Sequence, residues 1–128
     1  MRVLKTKSFA RWARKERIHD VSLASAVDEL RRGLVDAHLG GGVVKKRLAR
    51  AGGGKSGGYR TLLATNLRDR WVFLYGFAKN ERDNVDDDEL SGLKGLAHVY
   101  TTMGEDTIER LITAGELTEV KRGESQAS

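Results

Sequence analysis

A basic stretch between Val43 and Arg60 is the first part of this sequence whose residue types could do chemistry. It holds six Lys and Arg residues and no Asp or Glu, namely Lys45, Lys46, Arg47, Arg50, Lys55 and Arg60. A strip of cations raises the local concentration of polyanions and steers them towards the protein. The alternative is a solvated edge strand that lysines protect from aggregation, but six cations without one interleaved acid exceed what edge protection requires. We therefore expect this stretch to contact a nucleic acid.

The positive charge of the whole chain is concentrated in its first half, which contains the basic stretch. Residues 1–60 carry 15 of the 23 Lys and Arg residues but only 5 of the 18 Asp and Glu residues. Residues 61–128 are therefore acidic, although the chain as a whole has a formal net charge of +5 at pH 7. We expect a polyanionic partner to bind the basic half.

The composition is typical of a single soluble domain. With 128 residues, 39% hydrophobic and 32% charged, the chain can bury a core. No apolar run reaches the ~18 residues of a membrane span, and Lys and Arg interrupt the N-terminal segment, which excludes a secretory signal. The absence of Cys excludes disulfides and thiolate metal sites, and the three His residues lack the paired spacing of a zinc site. We therefore expect a cytoplasmic protein with no metal or other cofactor.

Hydrophobic periodicity predicts an α+β fold. Strands are predicted at Val3–Thr6, Val43–Arg50, Tyr59–Thr65 and Trp71–Phe77, and helices at Ser8–Arg17, along the stripe Leu23, Val27, Leu30 and Leu34, at Asp86–Met103 and at Asp106–Ala114. The last three strands follow one another closely, so an antiparallel meander is the economical arrangement. We expect a small antiparallel sheet with the N-terminal helices packed on it and a C-terminal helix. One domain would span residues 1–120, and residues 121–128 would form a disordered polar tail.

Local signals predict where the helices begin and end. Asp20 and Ser22 are possible N-caps of the second helix, and Asp86 with Glu89 has the spacing of a capping box. Gly115 suits the position that follows the C-terminus of a helix.

Three motifs that could indicate other chemistry have better structural explanations. Gly54-Lys55-Ser56 lacks the first Gly that a P-loop needs, and a strand pattern rather than a helix follows it. The acids Asp86–Glu89 are stabilised by the dipole of a helix that begins there, without any metal. Trp12, Trp71 and Tyr75 could stack on bases, but each lies in an amphipathic or β pattern, so core packing is favoured.

Three separated motifs carry a resemblance to a known family. They are Gly42-Val43-Val44-Lys45-Lys46-Arg47-Leu48-Ala49-Arg50, Gly54-Lys55-Ser56-Gly57-Gly58-Tyr59-Arg60 and Tyr75-Gly76-Phe77-Ala78-Lys79-Asn80-Glu81. A basic strand, a Gly/Lys loop that leads into Gly-Tyr-Arg, and an aromatic strand that ends in Lys-Asn-Glu occur here in that order. In this the sequence resembles the RelE/HigB family of toxins from bacterial toxin–antitoxin pairs. The likeness covers about residues 2–95, and it looks most like the HigB branch, whose loop reads Gly-Lys-x-Gly-Gly-x-Arg.

The resemblance implies an activity and two partners. Members of this family cleave mRNA endonucleolytically, usually while it is translated in the ribosomal A site, and need no cofactor. The second implied partner is a cognate antitoxin, which in this family is commonly a helix-turn-helix DNA-binding protein. The toxin would contact operator DNA only through this antitoxin. Two other functions stay open: a ParE-like gyrase poison, which generally lacks the basic set, and a non-catalytic nucleic-acid-binding regulator, which the uneven charge supports equally well.

The resemblance also implies which cations act. Cleaving RNA through its own 2′-hydroxyl needs a base, cations on the developing phosphorane and an acid for the 5′-oxygen, but no metal. Lys45 would be the general base, or a phosphate clamp if another group takes the proton. Arg47 and Arg60 would stabilise the phosphorane. Strand alternation places Lys45 and Arg47 on one face and Lys46 on the other.

The acid is assigned less directly. The arginine and tyrosine of RelE are replaced here by Asn80 and Asp86, so Lys79 or Glu81 is the candidate acid. An ion pair with Arg60 or Arg82 is the alternative role of Glu81. We assign RNA binding to Lys46, Arg50, Lys55 and Tyr59. The apolar residues of the C-terminal region either contact the antitoxin or, as is favoured, pack on the sheet; they are Leu111, Ile112, Leu117 and Val120.

Overall fold

The computed structural model describes residues 1–50 and 57–122. Its elements are β1 (Arg2–Thr6), α1 (Lys7–Lys15), α2 (Asp20–Arg31), β2 (Ala37–Gly40), β3 (Val43–Leu48), β4 (Tyr59–Thr65), β5 (Arg70–Ala78), α3 (Asp87–Thr102), α4 (Glu105–Thr113) and β6 (Leu117–Glu119). The α+β prediction is confirmed. Of the predicted tail, residues 123–128 lie outside the described residues, as does Lys55.

The strands form a single sheet in the order β2-β3-β4-β5-β1-β6. The predicted meander is confirmed, since β3 pairs antiparallel with β4 and β4 antiparallel with β5. The sheet is not wholly antiparallel, because β1 lies parallel to β5. Two short edge strands, β2 and β6, were not predicted, because three or four residues are too few to show an alternating pattern.

Helices cover both faces of the sheet, and each face has its own core. On one face α1 and α2 bury Phe9, Leu23 and Val27 against the strands. On the other face α3 and α4 pack through Ala97 and Ile108. Leu117 and Val120 are buried, and Leu111 and Ile112 pack against the second core, so the packing prediction for these four residues is confirmed. In the described part of the chain, no helix is long and apolar enough to cross a membrane.

The helix-end predictions are confirmed for α3 and α4 and wrong for α2. Asp86 accepts a hydrogen bond from the backbone N–H of Glu89, whose carboxylate accepts one from the N–H of Asp86, which closes the capping box. Gly115 follows α4 with φ of +82°. α2 has His19 as its N-cap, without a side-chain hydrogen bond, and Asp20 is the first residue of the helix, where its carboxylate accepts a hydrogen bond from Lys5. Leu34 is exposed, because α2 ends three residues earlier.

An irregularity in β5 changes which side chains share a face. Phe73 lies opposite Leu63 while Tyr75 lies opposite Leu62, so Leu74 is an extra residue in the strand. Beyond this bulge, Tyr75 packs against the core under α3, whereas Phe73 packs under α1. The core-packing prediction for Tyr75, as for Trp12 and Trp71, is confirmed.

Candidate active site

The register of three neighbouring strands gathers the predicted catalytic cations on one face. Arg47 of β3 lies directly opposite Arg60 of β4, which lies opposite Phe77 of β5. Residues directly opposite in an antiparallel pair point to the same face. Lys45 lies two residues before Arg47, on the same face. This is the face that α3 and α4 cover further along the sheet. We call Lys45, Arg47, Arg60 and Lys79 the cationic cluster.

Arg60 is a largely buried arginine that makes no ion pair within the described residues, although its charge acts on the carboxylate of Asp83. Its exposed fraction is 8%, and its guanidinium donates to the backbone carbonyl of Tyr59 at 3.3 Å. Among residues 1–50 and 57–122, no carboxylate lies within 4.0 Å of this guanidinium. Since buried charges in proteins are normally paired, an arginine held in this way suits an anionic ligand.

Arg47 is the more accessible arginine of the cluster. Its Nε donates to Oδ1 of Asp36 at 3.0 Å, and its backbone N–H donates to Oδ2 of the same carboxylate at 2.7 Å. Asp36 directly precedes β2, and its own N–H donates to the carbonyl of Lys45. The carboxylate therefore fixes the guanidinium of Arg47 at the rim of the face.

The loop after β5 brings the fourth cation to the cluster. The N–H of Lys79 donates to the carbonyl of Gly58 at 3.0 Å, which holds the start of the loop beside β4. Nζ of Lys79 lies 2.6 Å from Oδ1 of Asp83. Nζ of Lys45 donates to Oδ1 of Asn84, the next residue, at 2.7 Å. Lys45 and Lys79 therefore bind adjacent residues of one loop.

Arg82 fastens this loop to the sheet and to α3. It donates to both oxygens of Glu89, at 3.0 and 2.5 Å, and its guanidinium lies 5.7 Å from the centre of the Phe77 ring. The hydrogen bonds to Glu89 raise the pKa of Arg82 and, reciprocally, lower the pKa of Glu89. Tyr75 accepts a further hydrogen bond from Arg82 at 3.3 Å. Because Glu89 also closes the capping box of α3, loop, sheet and helix are held as one unit.

Asp83 marks the point where three cations converge. Its hydrogen bond to Lys79 holds the pKa of its carboxyl below the usual value, and the charges of Lys79, Arg60 and Lys45 act in the same direction. The cluster therefore stabilises a negative charge at this position.

The remaining predicted residues do not join the cluster. Lys46 is 5% exposed, points to the opposite face, and contacts Glu29 at 2.7 Å and the carbonyl of Leu34 at 2.9 Å. Tyr59 also lies on that face, where its hydroxyl donates to Glu16 at 3.2 Å and burial raises its pKa. These contacts give Lys46 and Tyr59 structural roles instead of the predicted surface contact with RNA.

Arg50 and Glu81 are also separate from the cluster. The guanidinium of Arg50 lies 5.0 Å from the centre of the Tyr59 ring. Glu81 is exposed, and within the described ranges its carboxylate makes no ion pair. The alternative that Glu81 pairs with Arg60 or Arg82 is wrong, because within the described ranges neither guanidinium makes an ion pair with Glu81, and Arg82 pairs with Glu89.

Asp83, Asn84 and Arg82 are the site residues that the sequence analysis missed. The spacing of Lys79 and Asp83, four residues apart and between a strand and a capping box, is the signal that could have found the ion pair. The contact of Asn84 with Lys45 spans 39 positions in the chain and has no local signal.

The sheet and its cationic cluster define a small α+β domain with a basic site on one face. The family model that describes the RelE toxin of the RelE/RelB toxin–antitoxin system matches residues 1–120. The chain belongs to this family, and is therefore a toxin of a toxin–antitoxin system with an antitoxin as its partner. The resemblance described above ends at about residue 95, whereas the family match continues to residue 120 and so includes α4 and β6. No curated protein and no solved structure matches the chain.

Proposed function

We propose that this toxin is a ribosome-dependent mRNA endoribonuclease of the cytoplasm. The observation that carries the proposal is Arg60, a largely buried arginine whose guanidinium makes no ion pair within 4.0 Å in the described residues, set beside Lys45 and Arg47 on one face. Burying a cation without an ion-pair partner costs stability, and charged residues in such environments concentrate at functional sites. A phosphodiester is the ligand that fits a pair of guanidinium groups.

The reaction would follow from the chemistry of RNA itself. In its neutral amine form, Lys45 removes the proton from a 2′-hydroxyl and becomes an ammonium group, while the 2′-oxygen attacks the adjacent phosphorus. The O2′–P bond forms as the P–O5′ bond breaks, which gives a 2′,3′-cyclic phosphate and a free 5′-hydroxyl. Arg47 and Arg60 stabilise the negative charge that develops on the phosphoryl oxygens. If another group takes the proton, Lys45 is the phosphate clamp.

Lys79 is the better candidate for the acid that protonates the 5′-oxygen. Its ammonium is held 2.6 Å from Asp83, in the loop that also binds Lys45. Glu81 is exposed and its carboxylate makes no contact with the described part of the cluster. The acid would therefore be an ammonium group positioned by Asp83.

Two partners complete the proposal. The ribosome would present the mRNA to the toxin. A helix-turn-helix antitoxin would bind the toxin and would itself contact operator DNA. A basic face of this kind is complementary to an acidic or amphipathic segment of such a partner.

Induction of the toxin in a bacterium, followed by mapping of mRNA 5′ ends, tests the proposal. We expect growth arrest and new 5′-hydroxyl ends within translated messages, and Arg60→Ala should abolish both. Arg68→Ala, which removes an exposed arginine from the β4–β5 turn, is the matched control and should remain toxic. Intact messages in arrested or growing cells would overturn the proposal. RNA binding without cleavage would then indicate a non-catalytic regulator, and inhibited supercoiling by purified gyrase a ParE-like poison.

A further inference from the structure

A groove lies between the start of α1 and the second half of α3, and its volume is about 360 Å³. The two helices pack on opposite faces of the sheet. β1 pairs with β5 only as far as Phe73, so residues of both helices line the groove beside the next residue of β5, the bulge residue Leu74. We call it the α1–α3 groove, and its lining includes Lys7, Arg11, Leu74, Leu96, Tyr100 and Glu116.

The α3 wall of this groove carries apolar side chains that the core does not cover. Around the helix, apolar residues continue from the buried Ala97 along one flank through Leu93, Tyr100 and Leu96 to Val99. Leu96 and Val99 are 44% and 49% exposed, and they lie about one turn apart. Neighbouring exposed apolar side chains beside a groove are typical of a protein-binding surface. The other large hydrophobic residues exposed in residues 1–50 and 57–122 lie outside α3, namely Met1, Val21, Leu34 and Leu67.

The α1 wall carries positive charge that no acid neutralises. Lys7 and Arg11 are exposed and lie one helical turn apart. Among the residues that the structure describes, neither side chain makes an ion pair or a hydrogen bond. Glu116 lines the same groove, but its charge acts on the phenol of Tyr100, whose pKa is raised by burial and, in the same direction, by this carboxylate. The groove therefore places two free cations opposite an apolar wall.

This combination distinguishes between the possible occupants. Interfaces with a nucleic acid backbone are polar and strongly positive, and they would leave the exposed pair Leu96 and Val99 without a partner. A closed dimer of this chain would apply the same surface of each copy to the other, so Lys7 and Arg11 would face a second Lys7 and Arg11 and repel them. A helix with an apolar stripe and acidic side chains beside it is complementary to both walls.

We propose that the α1–α3 groove binds an acidic amphipathic helix of the antitoxin. Apolar side chains of that helix pack against Leu96 and Tyr100, and its carboxylates pair with Lys7 and Arg11. The lining of the groove includes no member of the cationic cluster, and β5 separates the groove from β3 and β4. The groove therefore anchors the antitoxin whether or not another segment covers the cluster. The inference rests on the antitoxin that family membership supplies, and not on the nuclease activity proposed above.

The affinity of the purified toxin for its antitoxin, taken as the protein encoded next to the toxin gene, tests the inference. Calorimetric titrations would be made from 50 to 300 mM salt. Leu96→Asp should weaken binding by about tenfold or more, because it places a charge against the apolar stripe of the partner. Lys7→Glu/Arg11→Glu should weaken binding by about tenfold or more at low salt, and less at high salt, because salt screens the repulsion.

Matched variants make the same changes outside the groove. Val21→Asp places a charge on an exposed apolar residue of α2, and Lys15→Glu/Arg32→Glu reverses two exposed cations. Each should change the affinity less than about threefold. Thermal denaturation checks that all four variants are folded.

Cysteine labelling gives a second measurement that leaves the charges and the apolar wall unchanged. The chain contains no Cys, so a single introduced thiol reports on one position. Ser8 lines the groove and is exposed, whereas the exposed Ser91 lies on the other flank of α3. The antitoxin should slow maleimide labelling of Ser8→Cys severalfold and leave labelling of Ser91→Cys unchanged.

Other results would overturn the inference. Equal losses in groove and control variants would assign the effect to net charge, and unchanged affinity of both groove variants would place the antitoxin elsewhere. Self-association of the toxin alone that Leu96→Asp abolishes would make a second copy the occupant. Weaker binding of a 2′-O-methyl RNA duplex by Lys7→Glu/Arg11→Glu, with unchanged antitoxin affinity, would indicate a nucleic acid. A toxin that binds its antitoxin through the groove but cleaves no mRNA would contradict only the proposed function.

Discussion

Arg47 and Arg60 lie directly opposite each other on β3 and β4. Like charges in this cross-strand arrangement destabilise a sheet, and the burial of Arg60 adds to the cost. Asp36 forms an ion pair with Arg47, whereas Arg60 donates one hydrogen bond to the backbone carbonyl of Tyr59 and has only the more distant charge of Asp83 to offset its own. Residues that lower the stability of a fold are often retained where they serve function, and a buried arginine opposite another arginine is such a residue.

Replacement of Arg60 should separate stability from activity. Arg60→Met removes the buried charge and keeps most of the volume, so we expect a gain of about 1–2 kcal/mol in the free energy of unfolding. Cleavage of mRNA should be lost, because the guanidinium that stabilises the phosphorane is gone. Urea denaturation and 5′-end mapping measure the two effects. A destabilised variant that still cleaves would show that Arg60 is structural.

Asp83 should weaken the affinity for single-stranded RNA, because its carboxylate occupies the position where cations converge. Asp83→Asn removes that negative charge, and we expect a severalfold higher affinity for a 2′-O-methyl single strand. Asp28→Asn makes the same charge change on α2, at the opposite face, and should have little effect. Titrations at low salt compare the two variants. Equal gains in both would assign the effect to net charge.

The ion pairs of Glu105 should make stability depend on pH in the acid range. Arg70 and Arg2 hold the pKa of this carboxyl below its ordinary value of 4.5. The unfolded chain therefore takes up the proton first, so the stabilisation is complete above about pH 4.5 and is lost as pH falls through the folded pKa.

Glu105→Gln tests this directly. It should lower the free energy of unfolding at pH 7, and the deficit against the unmodified protein should shrink below about pH 4.5. Asp106→Asn is the matched control, because Asp106 also lies in the first turn of α4 but forms no ion pair within the described residues. Urea denaturation between pH 3 and pH 7 gives both curves. A deficit that stays constant with pH would contradict the assignment.

Gly76 should be required for the packing of α1. A Cβ at this position would lie 2.2 Å from Cζ3 of Trp12, so Gly76→Ala should destabilise the protein by about 1–3 kcal/mol. In Gly95→Ala the new methyl group meets nothing within 4 Å, and the helix should gain up to about 1 kcal/mol. Thermal denaturation distinguishes them, and equal effects of the two changes would refute the packing argument.

Lys45 and Lys46 are neighbours in sequence, and their substitutions should have opposite consequences. Lys46→Met removes a buried contact with Glu29 and the Leu34 carbonyl, so we expect a loss of about 1–3 kcal/mol and unchanged RNA affinity. Lys45→Met should lower cleavage and change stability little. Parallel denaturation and binding curves make the comparison. If Lys46→Met bound RNA more weakly without any loss of stability, Lys46 would have the RNA-binding role predicted from the sequence.

Features that depend on a local pattern of residues could be predicted from the sequence. The capping box of Asp86 and Glu89, the Gly115 helix end and the alternation of Lys45, Lys46 and Arg47 depend on residues within a few positions of one another, and the structure contains all three. The edge strands β2 and β6 were not predicted, because four and three residues are too few to show an alternating pattern.

The amino-acid order by itself determined the α+β class, the meander and the face of β3 that carries Lys45 and Arg47. These features follow from hydrophobic periodicity and turn residues, which depend only on residues close together in the chain. Tertiary structure alone decided that β1 lies parallel to β5, that the bulge at Leu74 turns Tyr75 towards α3, and that Asn84 meets Lys45. These depend on contacts between residues far apart in the chain. Such contacts form only when the packing of both faces is satisfied at once, and no local pattern encodes that condition.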